Sequence, residues 1–180
     1  MAAPEPGQAG WAVELLPVYL EVDGRINWLC RTGQDAWRAL GRPDASPPDV
    51  LLEPLAIFGC GPFVAHSTSW RFDAEAGLLV LSYLVLLPTL HPGAIPDRFE
   101  VAPVERADLA RGDLAAPPPR IGMGQVLEHA LRHLAWLAGD DPTIRALLGP
   151  AWVAALGPYS PEPFRSIQEV FVAAPGVAAG

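Results

Sequence analysis

The chain has 180 residues, of which 51% are hydrophobic, and its net charge is −8. This length and apolar content suit one folded domain with a real core and exclude a wholly disordered chain. The twelve basic residues are all arginine and form no cluster. That pattern argues against a protein that binds DNA or RNA polymers, but leaves a free nucleotide open as a ligand.

Several features together predict a cytoplasmic protein that does not bind membranes. Residues 1–10 have neither the basic nor the apolar region of a signal peptide, and we expect them to form a flexible leader. The longest apolar run ends at Pro88 and is too short for a membrane span. Cys30 and Cys60 lack the spacing of a metal or redox motif, so both are predicted to be buried free thiols.

The first predicted elements are two strands joined by a tight turn. Val13–Val22 and Ile26–Arg31 flank Asp23-Gly24, a dipeptide typical of two-residue hairpin loops. Residues Gln34–Leu40 are predicted to form a short helix. The apolar segment 49–58 is either a strand or a short helix, because its hydrophobic pattern does not distinguish the two.

The most apolar run of the chain is the second strand of a hairpin predicted over residues 63–88. If Phe72 pairs with Leu78 across the polar connection 73–77, the side chains of each strand alternate between two faces. The second strand is apolar on both faces, so we expect helices to cover it. Four polar side chains then share one partly covered face and form a candidate ligand-binding site: Ser67, Ser69, Arg71 and Tyr83. The alternative is an exposed polar face of the hairpin.

Helices dominate the predicted second half of the chain. After a short strand around residues 99–104, the segment Met123–Ala138 predicts an amphipathic helix, with Glu128 and Arg132 away from its apolar face. Residues 140–172 are predicted to extend the 11–139 domain with further helices, and 173–180 to form a loose tail. The domain organisation is therefore one α/β domain with a helical C-terminal extension.

One group of residues suggests a metal site. His129 and His133 stand four residues apart on the predicted helix and follow Glu128, so the three side chains could share one divalent ion. The segment lacks the internal glutamate of the HExxH metalloprotease motif. Ordinary histidines at the boundary of the apolar face are the alternative, in which case the protein needs no cofactor.

Large aromatic side chains near the C-terminus suggest self-association. Trp136 is predicted on the outer face of the helix, and Trp152, Phe164 and Phe171 follow it. A homodimer would bury these side chains. The alternative is that the C-terminal helices cover Trp136 within one chain.

The order of the predicted elements resembles the second half of a Nudix hydrolase domain. In that family a strand leads into a W-x-P-x-D/E-E-L turn and a closing helix, and here FEVAPVERADLA precedes IGMGQVLEHALRHLA. Phe99, Pro103, Glu105 and Leu109 stand at comparable places, and the resemblance covers residues 12–138 by order of elements. It implies an α/β (α+β) fold, with a mixed β-sheet of hairpins covered by helices in a Nudix-like sandwich.

The Nudix box, G-x5-E-x7-R-E-U-x-E-E-x-G-U, has no counterpart in this sequence. In the family its glutamates hold the magnesium that activates water, whereas the acidic residues between Arg31 and Phe63 are Asp35, Asp44, Asp49 and Glu53. No catalytic residue is therefore carried over, and we expect a non-catalytic module that binds a small, nucleotide-like molecule or a protein partner. The alternative is an atypical metal-dependent hydrolase of nucleotide-linked substrates.

Overall fold

Strands of the described chain form one mixed sheet. The structure is a computed structural model that describes residues 10–31, 37–58, 64–88, 90, 95–109 and 121–159. Within these ranges the strands are β1 (Gly10–Leu20), β2 (Ile26–Arg31), β3 (Trp37–Leu40), β4 (Val64–Asp73), β5 (Leu78–Leu86) and β6 (Phe99–Pro103). Their order across the sheet is β4-β5-β1-β2-β6, and β3 pairs with the first part of β1. β1 and β5 are parallel and the other pairs antiparallel.

Helices cover both faces of this sheet, as the sequence predicted. They are α1 (Pro47–Leu55), α2 (Met123–Asp140) and α3 (Pro142–Ala155), with short 3-10 turns at Ala56–Phe58 and Gly157–Tyr159. Leu16 and Val18 of β1 pack in one hydrophobic core with α2 and α3. Val13 and Leu15, which alternate with them, pack in a second core with α1. The predicted α/β sandwich is confirmed, with β1 at its centre.

The structure decides two open points of local structure. Residues 49–58 are helical: Asp49 stabilises the start of α1 by accepting hydrogen bonds from the backbone and side chain of Ser46, at 3.1 and 2.6 Å. The predicted helix Gln34–Leu40 is wrong over its described part, because Trp37–Leu40 pairs with β1 as a strand. Burial explains this strand: the Trp37 ring packs edge-on against Phe58 and Phe99 in the second core.

A β-bulge changes the predicted register of the central hairpin. His66 lies opposite Leu84 as expected, but beyond Thr68 the pairing shifts by one residue, so that Ser69 lies opposite Ser82. The Thr68 hydroxyl donates to the Ser82 carbonyl at 3.3 Å within this irregularity. A bulge inserts one extra residue in one strand, so it reverses which face the following side chains occupy.

The C-terminal helices continue the core of the domain. Leu148, Trp152 and Tyr159 are buried in the same cluster as the apolar face of α2. No helix in the described ranges is long and apolar enough to cross a membrane. Cys30 is buried and free as predicted, whereas Cys60, most of the predicted leader (residues 1–9), residues 160–172 and the tail lie outside the described ranges.

A glycine in α3 gives a first testable prediction. Gly149 has φ of 72° and ψ of 172°, a backbone conformation that interrupts α3 and that essentially only glycine adopts. We expect Gly149→Ala to lower the free energy of unfolding by about 1 kcal/mol. The control is Gly139→Ala in the last turn of α2, where an added Cβ meets nothing within 4 Å and should stabilise the helix by up to about 1 kcal/mol. Urea unfolding measures both, and equal effects would contradict the assigned backbone.

Candidate functional site

One charged group of the sheet, the Glu14 carboxylate of β1, is fully buried. Its side chain is 0% exposed and lies opposite Ser82 of β5. The Arg71 guanidinium of β4 binds both carboxylate oxygens, with Nη1 at 2.8 Å from Oε2 and Nη2 in contact with Oε1. The Ser82 hydroxyl lies 3.0 Å from Oε2 and also 3.0 Å from Nη1 of Arg71. Three adjacent strands thus contribute to one hydrogen-bonded cluster.

A second arginine extends this cluster to the surface. Arg38, on the neighbouring strand β3, pairs with Glu14, and its Nε donates to Oε1 of Glu14 at 3.3 Å. Its Nη1 also donates to Asp73 at the end of β4, at 2.8 Å. Arg71, Glu14, Arg38 and Asp73 therefore form a chain of contacts in which guanidiniums and carboxylates alternate. The charges of the group balance, and this compensates for the cost of burying Glu14.

Arg71 also lies in the wall of a cavity between β4 and α2. The cavity has a volume of about 210 Å³. Its walls combine apolar side chains with a few polar ones, and the lining residues are Ser69, Trp70, Arg71, Leu109, Ile121, Gln125, Val126 and His129. Ligand sites typically have this composition, with polar groups that fix orientation on an apolar surface.

The structure brings together only part of the predicted ligand-binding group. Ser69 and Arg71 line the cavity. Tyr83 packs in the opposite core, next to α1, and Ser67, which pairs with Tyr83, is exposed. The prediction that all four share one face is wrong, because the bulge at Thr68 separates the two halves of β4.

Glu128, predicted on the outer side of α2, is instead fully buried and bonded to arginines. Its side chain is 0% exposed, and Arg106 donates to it through Nε at 2.9 Å and Nη2 at 2.8 Å. Arg132, one turn further along α2, donates to Oε1 at 2.7 Å. Arg106 also donates to the Pro158 carbonyl at 2.6 Å and lies over the Tyr159 ring. Glu128 therefore joins α2 to the segment after β6, and Arg106 in turn contacts the 3-10 turn Gly157–Tyr159.

The three residues predicted to bind a metal have different surroundings. His129 is exposed and lines the cavity, whereas Glu128 faces Arg106 and Arg132. His133 instead contacts His66 of β4, with 5.1 Å between ring centres. Among the described residues no group of three or more His, Cys, Asp or Glu is placed to hold a metal ion.

A second cavity, of about 500 Å³, lies between β6 and the start of α2. Trp28, Met123 and Leu127 give it an apolar floor, and residues 102–107 form its rim. The charged side chains of that rim are Glu105 and Arg106, and Arg106 already donates to Glu128 and to the Pro158 carbonyl. This cavity is larger but offers fewer preorganised polar groups than the one beside Arg71.

The aromatic residues predicted to mediate self-association also separate. Trp152 is buried in the core, at 6% exposure, so it does not contribute to an outer surface. Trp136 is 40% exposed and stacks on His133 at 5.7 Å. Phe164 and Phe171 lie outside the described residues, and the homodimer stays a prediction.

Sequence reasoning did not identify Glu14 as part of a site. A signal was present, because Glu14 alternates with Ala12, Leu16 and Val18 on one face of β1 and is the charged member of that row. A lone carboxylate on an apolar strand face requires a buried partner. The partner could not be identified from the sequence, since Arg71 reaches Glu14 across the intervening strand β5.

Comparison with known proteins agrees with this architecture. The chain is similar to the crystal structure of a MutT/nudix family protein from Enterococcus faecalis, with a TM-score of 0.52 and 13% sequence identity, over 83% of this chain and 71% of that one. No family model matches the chain, and no curated protein matches it. At this identity the likeness concerns the fold alone. The chain therefore has a Nudix-like fold, a mixed sheet between helices.

Proposed function

We propose that the protein binds a small, nucleotide-like molecule in the cavity between β4 and α2. The observation that carries the proposal is the position of Arg71, which lines the cavity while buried Glu14 and Ser82 accept hydrogen bonds from its guanidinium. A guanidinium fixed by a carboxylate loses little side-chain freedom when it binds a ligand. Arg71 is thus preorganised for an oxygen acceptor.

The hydrogen-bonding capacity of Arg71 supports this role. A guanidinium has five N–H groups, and three of them bond to Glu14 and Ser82. The Nε–H and one Nη2–H have no hydrogen-bond partner within the described ranges. A phosphate or carbonyl oxygen could accept from them, although Glu14 already balances the charge of Arg71. We therefore expect moderate affinity that depends on hydrogen-bond geometry more than on net charge.

The remaining walls suit an apolar or planar body. Leu109, Ile121 and Val126 provide apolar surface, and Ser69 and His129 add polar groups at its edge. The volume of about 210 Å³ lies below the roughly 300–1,000 Å³ typical of sites for drug-sized ligands. The cavity thus suits one fragment of a nucleotide, with the rest of the ligand outside it.

A thermal-shift screen of nucleotides, alone and with divalent metals, tests the proposal. A ligand at about one hundred times its Kd should add roughly 2.7 kcal/mol to the free energy of unfolding. We expect a nucleotide to raise Tm without added metal, and Ser69→Ala and His129→Ala to reduce that shift. The matched control is Glu105→Ala, which alters the rim of the 500 Å³ cavity instead.

Each result of this screen distinguishes one hypothesis. A shift lost in Glu105→Ala but kept in Ser69→Ala would place the ligand in the larger cavity and contradict the proposed site. A shift that requires metal and nucleotide together would favour the metal-dependent hydrolase. No shift with any nucleotide would contradict the proposed ligand class.

A further inference from the structure

Two histidines from different elements meet where β4 packs against α2. His66 lies opposite Leu84, which packs in the core next to α2, and His133 lies one helical turn after His129. The centres of the His66 and His133 rings are 5.1 Å apart, and the ring planes are inclined by 39°. Both residues are half-buried, so solvent reaches part of the pair.

Each ring has one buried nitrogen that forms no hydrogen bond with any of the described residues. The two atoms are Nε2 of His66 and Nδ1 of His133. Buried polar atoms in proteins nearly always have a hydrogen-bond or metal partner. Because these two nitrogens belong to rings in contact, one bound species can satisfy both.

The contact between the two rings favours a cation as the bound species. The neutral form of imidazole, which offers a lone pair, is the form that binds metals. Two protonated rings in contact would repel each other, whereas two neutral rings can share a positive ion.

We propose that His66 and His133 bind one transition-metal ion of the Zn²⁺, Ni²⁺ or Cu²⁺ class through these two nitrogens. Imidazole suits these ions, whereas Mg²⁺ and Ca²⁺ prefer oxygen ligands. Two imidazoles that bind one ion at about 2.0–2.1 Å in neighbouring positions have ring centres about 5 Å apart. The 5.1 Å separation is therefore compatible with one shared ion.

The surroundings support a small, half-buried site. Trp136 stacks on His133 with 8° between the ring planes and fixes the orientation of that ring. Solvent or an anion supplies the remaining metal ligands. The site excludes Glu128, whose carboxylate is bonded to Arg106 and Arg132, and it is independent of the proposed nucleotide-binding function.

Calorimetric titration of the full, tag-free chain with Zn²⁺ at neutral pH tests this proposal. We expect about one ion per chain, and affinity at least about tenfold lower in His66→Phe and in His133→Phe. Phenylalanine keeps a ring in each position but removes the nitrogen ligand. The control is His129→Phe, which should bind Zn²⁺ like the wild type.

A spectroscopic measurement on the wild type keeps the test decisive if a variant folds poorly. The electron paramagnetic resonance spectrum of the Cu²⁺ complex should show coupling to two imidazole nitrogens, and each single variant should lose one of them. The proposal is overturned if the wild type binds no Zn²⁺, if both variants bind like the wild type, or if the Cu²⁺ spectrum shows fewer than two nitrogens.

Discussion

Replacing Arg71 by methionine is expected to lower the free energy of unfolding by about 3 kcal/mol. The substitution leaves the fully buried Glu14 carboxylate without its bidentate partner. Removing one member of a buried ion pair typically costs about 3–5 kcal/mol, because the remaining charge has lost its compensation. The lower end applies because Ser82 and Arg38 still donate to Glu14. Urea unfolding measures the change.

A double-mutant cycle separates this pairing from simple packing. In Glu14→Leu/Arg71→Met both charges are absent, so we expect most of the lost stability to return. The control for removing an arginine is Arg42→Met, because Arg42 and Glu53 form an exposed pair with side chains 55% and 69% exposed. That change should cost less than about 1 kcal/mol. Additive effects of Glu14→Leu and Arg71→Met would contradict the cluster.

Replacing Glu128 by glutamine is expected to cost about 2 kcal/mol at neutral pH, the second-largest effect. The change removes the charge that Arg106 and Arg132 contact. It should cost less than Arg71→Met, because the Arg106 side chain is 46% exposed and can be solvated instead. Glu105→Gln, on the exposed segment that precedes Arg106, is the matched control and should change stability by less than about 0.5 kcal/mol.

The pH dependence of this loss identifies its origin. Burial raises the pKa of Glu128, but hydrogen bonds from Arg106, Arg132 and the Ala107 backbone oppose it, and the net result is a pKa below the ordinary value of 4.5. A carboxylate with a lowered pKa stabilises the fold above its unfolded pKa, and the contribution disappears as pH falls through the folded pKa. The stability difference between wild type and Glu128→Gln should therefore shrink below about pH 4.5. A difference that stays constant down to pH 3 would contradict an ionic origin.

Much of the fold could be predicted because it depends on local signals. Asp23-Gly24 predicts the β1–β2 turn, in which Gly24 has φ of 87°, but the loop is longer than the predicted two residues, since β1 ends at Leu20 and pairs there with Ile26. The apolar periodicity of Met123–Ala138 predicts α2. β3 could not be predicted in the same way, since its four residues become a strand only by pairing with β1. The bulge at Thr68 likewise depends on pairing with β5, and local residue patterns give no sign of it.

The candidate site was predicted less completely, because its contacts link residues far apart in the chain. Arg71 and Ser69 were identified from their strand, but Glu14, the partner of Arg71, lies 57 residues earlier in the chain. A helical wheel places Glu128 away from the apolar face. In the structure it is buried, because Arg106 from the segment after β6 donates to its carboxylate and compensates its charge. The contact between His66 and His133 similarly requires the packing of α2 on β4.

The most direct test of the proposed ligand site is a titration of the isotope-labelled chain with a nucleoside monophosphate, followed by amide NMR. We predict the largest chemical-shift changes at Ser69, Val126 and His129, which surround Arg71 in the cavity between β4 and α2. Changes confined to Trp28, Gly124 and Leu127 would place the ligand in the larger cavity. That result, or the absence of any change, would contradict the role proposed for Arg71.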